Sequence, residues 1–484
     1  MAARIAARAT VAFFLLAAGA SAQSIPPPDD DPFYAQPSAA ELEAQPPGTI
    51  LRSREVTITG LGVPVPVSAW QVAYRSADSK SNPILAVATV IVPLTPYPAG
   101  PRPLVSYQMA IDALGTQCNP SYTMRTGTQK EMVGITNLID KGWAVVVPDF
   151  EGPRMAYTAG HLAAYTVLDG IRAAKAFETA GLAEAPIGLW GYSGGGQGTA
   201  WAVEQHPGYA PELEIAAAAQ GGVPPNLEQV ARKIDGGPFF GVYFGASVGL
   251  SRAFPEVRLD DLLNDKGKAL KEEISTQCAE DFILGYPNEK MSDYTTVPDP
   301  LVVPRVREVM ETNTLGQEVP TAPIYMYHSI ADELIPVEGP DALFAEYCSE
   351  GVQIYYQRDV AGEHIAYAFT GAPAAIAYLA ARFAGGPVLS NCPAGSAQPP
   401  PAEEKDSCTS GRAIKVRAPR GRGEHIRRIT ALVKGKRVAR RRGDDLRRIR
   451  IQGLEPGRHK IKLKIRSNYG KRAVTVHRMV PCMS

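Results

Sequence analysis

A short apolar run, Ile187-Gly188-Leu189-Trp190, passes directly into Gly191-Tyr192-Ser193-Gly194-Gly195, and a helical stretch from Gln197 to Gln205 follows. A strand that turns at once into a helix must bend sharply, and only small residues beside the bend leave room for it. Such a turn lifts the Ser193 hydroxyl to the carboxyl edge of the sheet that holds the strand. Gly-x-Ser-x-Gly is a loose pattern alone; in a strand–turn–helix setting it is specific. Gly194, opening the helix, offers its backbone N–H to a developing oxyanion.

A serine hydroxyl is a poor nucleophile until a base takes its proton and a carboxylate orients that base. On a sheet of this kind the partners follow in the order Ser, acid, His. The chain has seven histidines, so elimination works. His161 precedes the serine, His206 follows directly on the helix after it, and His425, His459 and His477 lie in the C-terminal tail. His328 ends an apolar strand before the candidate acid. His364, just after the strand Val352 to Tyr356, is left as the base. The acid belongs in the loop after Tyr325-Met326-Tyr327-His328, where Asp332 is chosen over Glu333 because a shorter side chain is held more rigidly against the imidazole. Glu333 stays open as the orienting group or as a solvated neighbour. A second oxyanion donor is expected after the strand Leu104 to Gln108, where Asp112 is the candidate through its backbone N–H; an Asp opening a loop also serves as a turn residue or helix cap.

Around these positions short apolar, β-branched runs alternate with helical patterns. Leu85 to Val92, Leu104 to Gln108, Trp143 to Pro148, Ile187 to Trp190, Ile215 to Ala219, Ile324 to Tyr327 and Val352 to Tyr356 read as buried strands. His161 to Phe177 has apolar residues at helical spacing. Strands separated by helices imply a mostly parallel sheet covered on both faces, hence an α/β fold of the α/β-hydrolase kind. Residues 221–320 carry helical patterns and no sheet strand, which reads as an inserted helical lid. Its aromatic residues Phe239, Phe240, Tyr243, Phe244 and Phe254 either line an acyl-binding cavity or form the lid's own core.

The formal charge of +1 hides an asymmetry. From Cys408 to the end there are 24 Lys+Arg against 4 Asp+Glu; subtracting from 50 and 49 leaves 26 basic and 45 acidic residues before it. An acidic body therefore carries a basic tail. In that tail, Ile429 to Val433, Leu446 to Ile451, Lys460 to Ile465 and Ala473 to Val476 alternate apolar with basic residues between turns at Gly435-Lys436, Pro456-Gly457 and Tyr469-Gly470. A small antiparallel β-domain with one charged face is expected over 408–484, joined by a Pro-rich linker over 394–407 to a hydrolase domain over 23–393. The charged face suits an anionic surface or cell-wall polymer, or is a solvated face contacting the acidic body. Nucleic acid is disfavoured, since Tyr469 is the tail's one aromatic residue for stacking.

Residues 1–22 have the basic start, short apolar core and small-residue site of a secretory signal, too short to span a bilayer. Export, as a secreted or cell-surface-associated protein with no transmembrane segment after signal removal, is the expectation. The six cysteines (118, 278, 348, 392, 408 and 482) fit an oxidising compartment. Six allow fifteen pairings, and Cys408 with Cys482 brackets the tail. No CxxC or metal-like spacing occurs, so neither a metal nor a cofactor is expected.

From about Asp31 to Cys392 the chain resembles the secretory lipases of the yeast lipase A type. The likeness rests on Asp31-Pro32-Phe33-Tyr34, Pro47-Gly48-Thr49-Ile50-Leu51, Asp112-Ala113-Leu114 and Cys118-Asn119-Pro120-Ser121-Tyr122. It continues through Val147 to Pro153, the Ser193 elbow, Asp332-Glu333-Leu334-Ile335-Pro336 and Tyr378 to Phe383. The resemblance implies hydrolysis of carboxylic esters, including triacylglycerols, with a triad of Ser193, Asp332 and His364 and an oxyanion site at Gly194 and Asp112. It also implies disulfides Cys118–Cys278 and Cys348–Cys392. The chain departs from the family in carrying Ile111 where a second acidic residue is expected, and in its basic tail. Other readings of the same residues are an acyltransferase or peptidase using the triad, or a non-catalytic surface-binding scaffold.

Overall fold

The computed structural model of the chain describes residues 25–60, 62–360, 362–393, 414–418, 425–434, 436–454, 457–468 and 470–480. The expected signal segment, the linker and the Cys408–Cys482 pairing lie outside the described residues. Ile187–Tyr192, the strand before Ser193, is buried along its whole length. A strand covered on both faces needs no polar alternation, which is why its sequence is a continuous apolar run.

It is the sixth strand of a nine-stranded sheet made of β1 (Ile50–Glu55), β2 (Val67–Ala77), β3 (Pro83–Pro93), β4 (Leu104–Gln108), β5 (Ala144–Pro148), β6 (Ile187–Tyr192), β7 (Ile215–Gly221), β8 (Ile324–Ser329) and β9 (Ile354–Asp359). The spatial order is β1-β2-β3-β5-β4-β6-β7-β8-β9. Strands β4 to β9 run parallel, and β1, β2 and β3 add an antiparallel edge. Helix α1 (Gly160–Ala176) and helix α2 (Gly194–Tyr209) pack on one face. This is the α/β-hydrolase fold. The parallel strands all end at one edge, where open α/β sheets gather their ligand-binding loops.

Two strands of the edge, β1 and β2, were absent from the sequence expectation. β2 buries Gln71 and Ser76 completely, so its pattern is not plainly apolar. Their partners are tertiary: Gln71 donates to the Ser121 carbonyl at 2.6 Å, and Ser76 to Asp169 at 2.8 Å.

Between β7 and β8 lie α3 (Leu227–Ile234), α4 (Phe240–Ala253), α5 (Asp265–Ile274) and α6 (Pro304–Thr312), with their own apolar core. This helical insertion is tied to the sheet edge by the Cys118–Cys278 disulfide. Arg252 adds to the tie by donating to the carbonyls of Leu114, Met155 and Ser275. A second disulfide, Cys348–Cys392, joins α7 (Glu338–Ser349) to the segment after the last helix of the domain.

The basic tail forms β10 (Ile414–Arg417), β11 (Ile426–Val433), β12 (Lys436–Arg442), β13 (Arg448–Ile451), β14 (Gly457–Ser467) and β15 (Gly470–Val480). They make an antiparallel sheet of order β12-β11-β14-β15 and a β10-β13 ribbon. Lys436, expected in a turn, begins β12 instead. That strand reads Lys-Arg-Val-Ala-Arg-Arg-Arg and lies at a sheet edge, where exposed cations are tolerated and discourage further strand pairing. No helix among the described residues is long and apolar enough to cross a membrane.

Candidate active site

The turn from β6 into α2 holds Ser193 at φ 55°, ψ −123°, a region that a non-glycine residue occupies only when its surroundings enforce it. The enforcement comes from glycines. A side chain on Gly191 would strike the Gly195 carbonyl, one on Gly195 the Gln108 carbonyl, and one on Gly194 the Asp112 carboxyl. The first turn of α2 can therefore lie against the end of β4, with the N–H of Gly194 free of an intrahelical acceptor.

β8 and β9 are parallel neighbours, and the loops at their ends bring in the other partners. His364 opens helix α8 (His364–Thr370), which Glu363 caps by accepting the N–H groups of Ile365 and Ala366. Its Nε2 is 2.7 Å from Ser193 Oγ, across 171 residues of sequence. Its Nδ1 is 2.6 Å from Asp332 Oδ2. The other Asp332 oxygen accepts the N–H groups of Leu334 at 3.0 Å and Ile335 at 2.7 Å. Burial pushes the Asp332 carboxyl up, but the His364 and His328 partners and the Ile335 N–H outweigh it and hold the group below its ordinary value. Asp332 thus stays anionic beside the imidazole.

Three further contacts position the imidazole, and the sequence left them open or unseen. The Glu333 carboxylate accepts the backbone N–H of His364 at 2.9 Å, so Glu333 orients the main chain while Asp332 orients the ring. The Tyr192 hydroxyl donates to the His364 carbonyl at 2.8 Å. His328, set aside by elimination, is wholly buried beside the acid, its Nε2 3.0 Å from the Ile335 carbonyl and 3.4 Å from Asp332 Oδ2. Burial lowers its pKa. Bonded to the Ile335 carbonyl, the ring braces the acid loop. Elimination removed His328 as a base but could not show this contact. The other dismissed histidines lie elsewhere: His206 bonds the Leu213 carbonyl and His161 packs on Trp201.

Asp112 is also in the left-handed region, at φ 47°. Its carboxyl is buried over Gly194, and burial raises its pKa to about 6 although His364 pulls the other way. Two more buried carboxyls support this loop. Glu131 accepts the Ala110 N–H at 2.8 Å, and Glu151 the Ala113 N–H at 3.3 Å. Asp149, at the end of β5, accepts the N–H and hydroxyl of Ser121; it shapes the neighbouring loop.

Burial pushes Glu131, Asp149 and Glu204 each up to about 7. A carboxyl whose pKa is higher folded than unfolded binds its proton more tightly in the native state. Its contribution is complete below about pH 4 and is lost as pH rises through about 7. Replacing Asp149 by Asn removes one such group. The loss of stability between pH 5 and pH 8, measured by denaturant titration, should then shrink by about 1–3 kcal/mol. An unchanged pH slope would mean that Asp149 titrates at its ordinary value.

Ser193, Gly194 and Asp112 form the floor of a cavity that rises into the helical insertion. Its walls include Leu227, Ile234, Val242, Leu250, Leu259 and Leu301. Of the five aromatic residues considered for it, only Tyr243 lines it. Phe240 and Phe244 pack on Tyr294 in the insertion's core. Helical periodicity explains the split: 242, 243, 246 and 250 share one face of α4, while 240, 244 and 248 share another. Among the described residues no group of His, Cys, Asp and Glu could hold a metal ion.

The sequence matches the family described as secretory lipase over residues 118–391. It is 38% identical over 371 residues to a protein of Mycobacterium tuberculosis (strain CDC 1551 / Oshkosh) named a probable inactive lipase, covering 74% of this chain and 83% of that one. It is 35% identical over 388 residues to lipase A of Arthroderma benhamiae, covering 75% and 81% respectively. The fold is similar to the closed-state structure of Candida antarctica lipase A, at TM-score 0.71 and 29% identity, over 76% of this chain and 89% of that one. The chain belongs to the secretory lipase family.

Proposed function

We propose that the protein is a secreted serine hydrolase of carboxylic esters, with Ser193 as nucleophile, His364 as base and Asp332 as the orienting acid. The observation that carries the reading is the unbroken relay from Ser193 through His364 to Asp332, at the foot of an apolar cavity. Ser193 Oγ attacks the acyl carbonyl as its proton passes to His364 Nε2. The oxyanion is met by the N–H of Gly194 and of Asp112, each donor contributing roughly 3–4 kcal/mol in the transition state. His364 then protonates the departing alcohol. Water repeats the sequence on the acyl-enzyme and frees the acid.

An aliphatic cavity above the nucleophile suits a fatty acyl chain better than a peptide, which favours an ester over an amide substrate. The names of the relatives agree with a lipase or esterase. One observation favours a second reading, a catalytically silent scaffold: the similar mycobacterial protein is named inactive. A fluorophosphonate probe separates the two. Mass spectrometry should find a single adduct on Ser193; an unlabelled folded protein would leave the scaffold. For an active enzyme, rates on acyl esters of increasing length, taken below and above each ester's solubility limit, fix the class. A jump when an oil phase appears means a triacylglycerol-type lipase acting at the interface, and a smooth curve means a soluble esterase.

A further inference from the structure

The C-terminal sheet has one face that folding alone does not explain. In β11, Ile429, Ala431 and Val433 are buried, as are Ile461, Leu463 and Ile465 of β14, and they pack with Val416, Ile449 and Ile451 of the β10-β13 ribbon. Alternation along a strand sends the intervening residues to the opposite face. Register then sets them in rows. Arg442, Arg428 and Arg466 stand directly opposite one another across β12, β11 and β14. The next row is Arg440, Thr430 and Lys464, and the third is Arg437, Leu432 and Lys462.

Seven cations and no carboxylate thus share one face, about 5 Å apart between strands and about 7 Å apart along them. Like charges directly opposite each other destabilise a sheet. Among the described residues no carboxylate pairs with any of the seven, and Arg428 Nε is buried without a hydrogen-bond partner. The acidic body does not neutralise them. Among the described residues the ion pairs between that body and this domain run through Arg448, at 2.7 Å from Glu346 and 2.8 Å from Glu350, and Arg448 belongs to the ribbon, which packs on the sheet face opposite the cations.

We propose that this face docks on an anionic phospholipid surface and holds the hydrolase domain against it. The cations form a two-dimensional array rather than a line or a groove, so a planar array of phosphates engages all three rows at once. A linear polyanion would engage one row. The choice of a lipid surface rests on the acyl-ester reading above, whereas the charge array stands without it.

The test is co-sedimentation of the full chain, as Ser193→Ala so that vesicles stay intact, with vesicles of phosphatidylcholine alone or mixed with phosphatidylserine. Binding should require phosphatidylserine and vanish in high salt. Each cation near such a surface is worth about a fivefold change in partitioning. Arg428→Gln, Arg440→Gln and Arg466→Gln together should therefore weaken binding about 100-fold, and should raise or preserve the melting temperature because opposed charges are removed. A control with the same change of charge, Arg441→Gln, Arg447→Gln and Arg450→Gln, should lose much less.

Equal binding to neutral vesicles, or equal losses in the two triple variants, would overturn the proposal. So would tight binding to soluble polyphosphate with none to vesicles, which would assign a linear polyanion. Turnover of a soluble ester by the chain with both Ser193 and the cationic face intact keeps the two readings apart: hydrolysis without vesicle binding defeats only the docking surface, and binding without hydrolysis only the enzyme.

Discussion

Ser193→Ala is expected to lower kcat on a soluble p-nitrophenyl ester by about 10⁶-fold while the fold and the apolar cavity survive. Removing the nucleophile of such a relay costs nearly as much as removing the whole relay, because the three groups act as one unit. What remains is the contribution of the oxyanion donors and of binding, about 10³–10⁴ over water. The alanine side chain fits the bend, since it is smaller than serine at an already enforced φ of 55°. Thermal stability should therefore stay about level, since alanine keeps the Cβ that the surroundings already hold at this φ. A variant that folds and still turns over the ester at more than a few per cent would remove Ser193 from the mechanism.

Asp332→Asn should cost about 10⁴-fold in kcat, because an amide in place of the carboxylate donates where the ring must donate and selects the wrong imidazole tautomer. Glu333→Gln is the informative partner. Its carboxylate accepts a main-chain N–H of His364, which the glutamine carbonyl can still accept, so a loss of only about 3–30-fold is expected from the weaker neutral bond. The two variants should also differ in kind. Asp332→Asn should alter the pH profile of kcat/KM, since it removes the charge facing the ring, whereas Glu333→Gln should scale the profile with little change of shape. If Glu333→Gln proves as damaging as Asp332→Asn, the division of labour between the two neighbouring carboxylates is wrong.

That division marks where the sequence stops informing. Asp332 and Glu333 are adjacent, both acidic and both within reach of the same loop. A preference for the shorter side chain selects Asp332 for the ring. It says nothing of Glu333, because the atom that Glu333 meets belongs to a residue on the next strand's loop. His328 is similar: its place at the end of an apolar strand predicts burial, but the contact with Asp332 depends on how the acid loop folds back over β8. The aromatic residues of α4 show the same limit on a larger scale. Their composition fits a lined cavity or a packed core, and only the helix's rotation, set by Tyr294 and its neighbours, sends Phe240 and Phe244 one way and Tyr243 the other.

What the sequence determined by itself is local or repeats with a short period. The bend at Ser193 follows from glycines next to it, the buried strands from unbroken apolar runs, and the charged face of the C-terminal sheet from alternation of period two. The tertiary structure decided which of these pieces meet: the pairing of β8 with β9 that brings 332 to 364, and the burial of Gln71 and Ser76 against distant partners. It also decided the strand register that stacks Arg442, Arg428 and Arg466 in one row. The reason is that propensity and periodicity act through neighbours in the chain, whereas register, helix rotation and loop closure are settled by packing between residues tens to hundreds of positions apart.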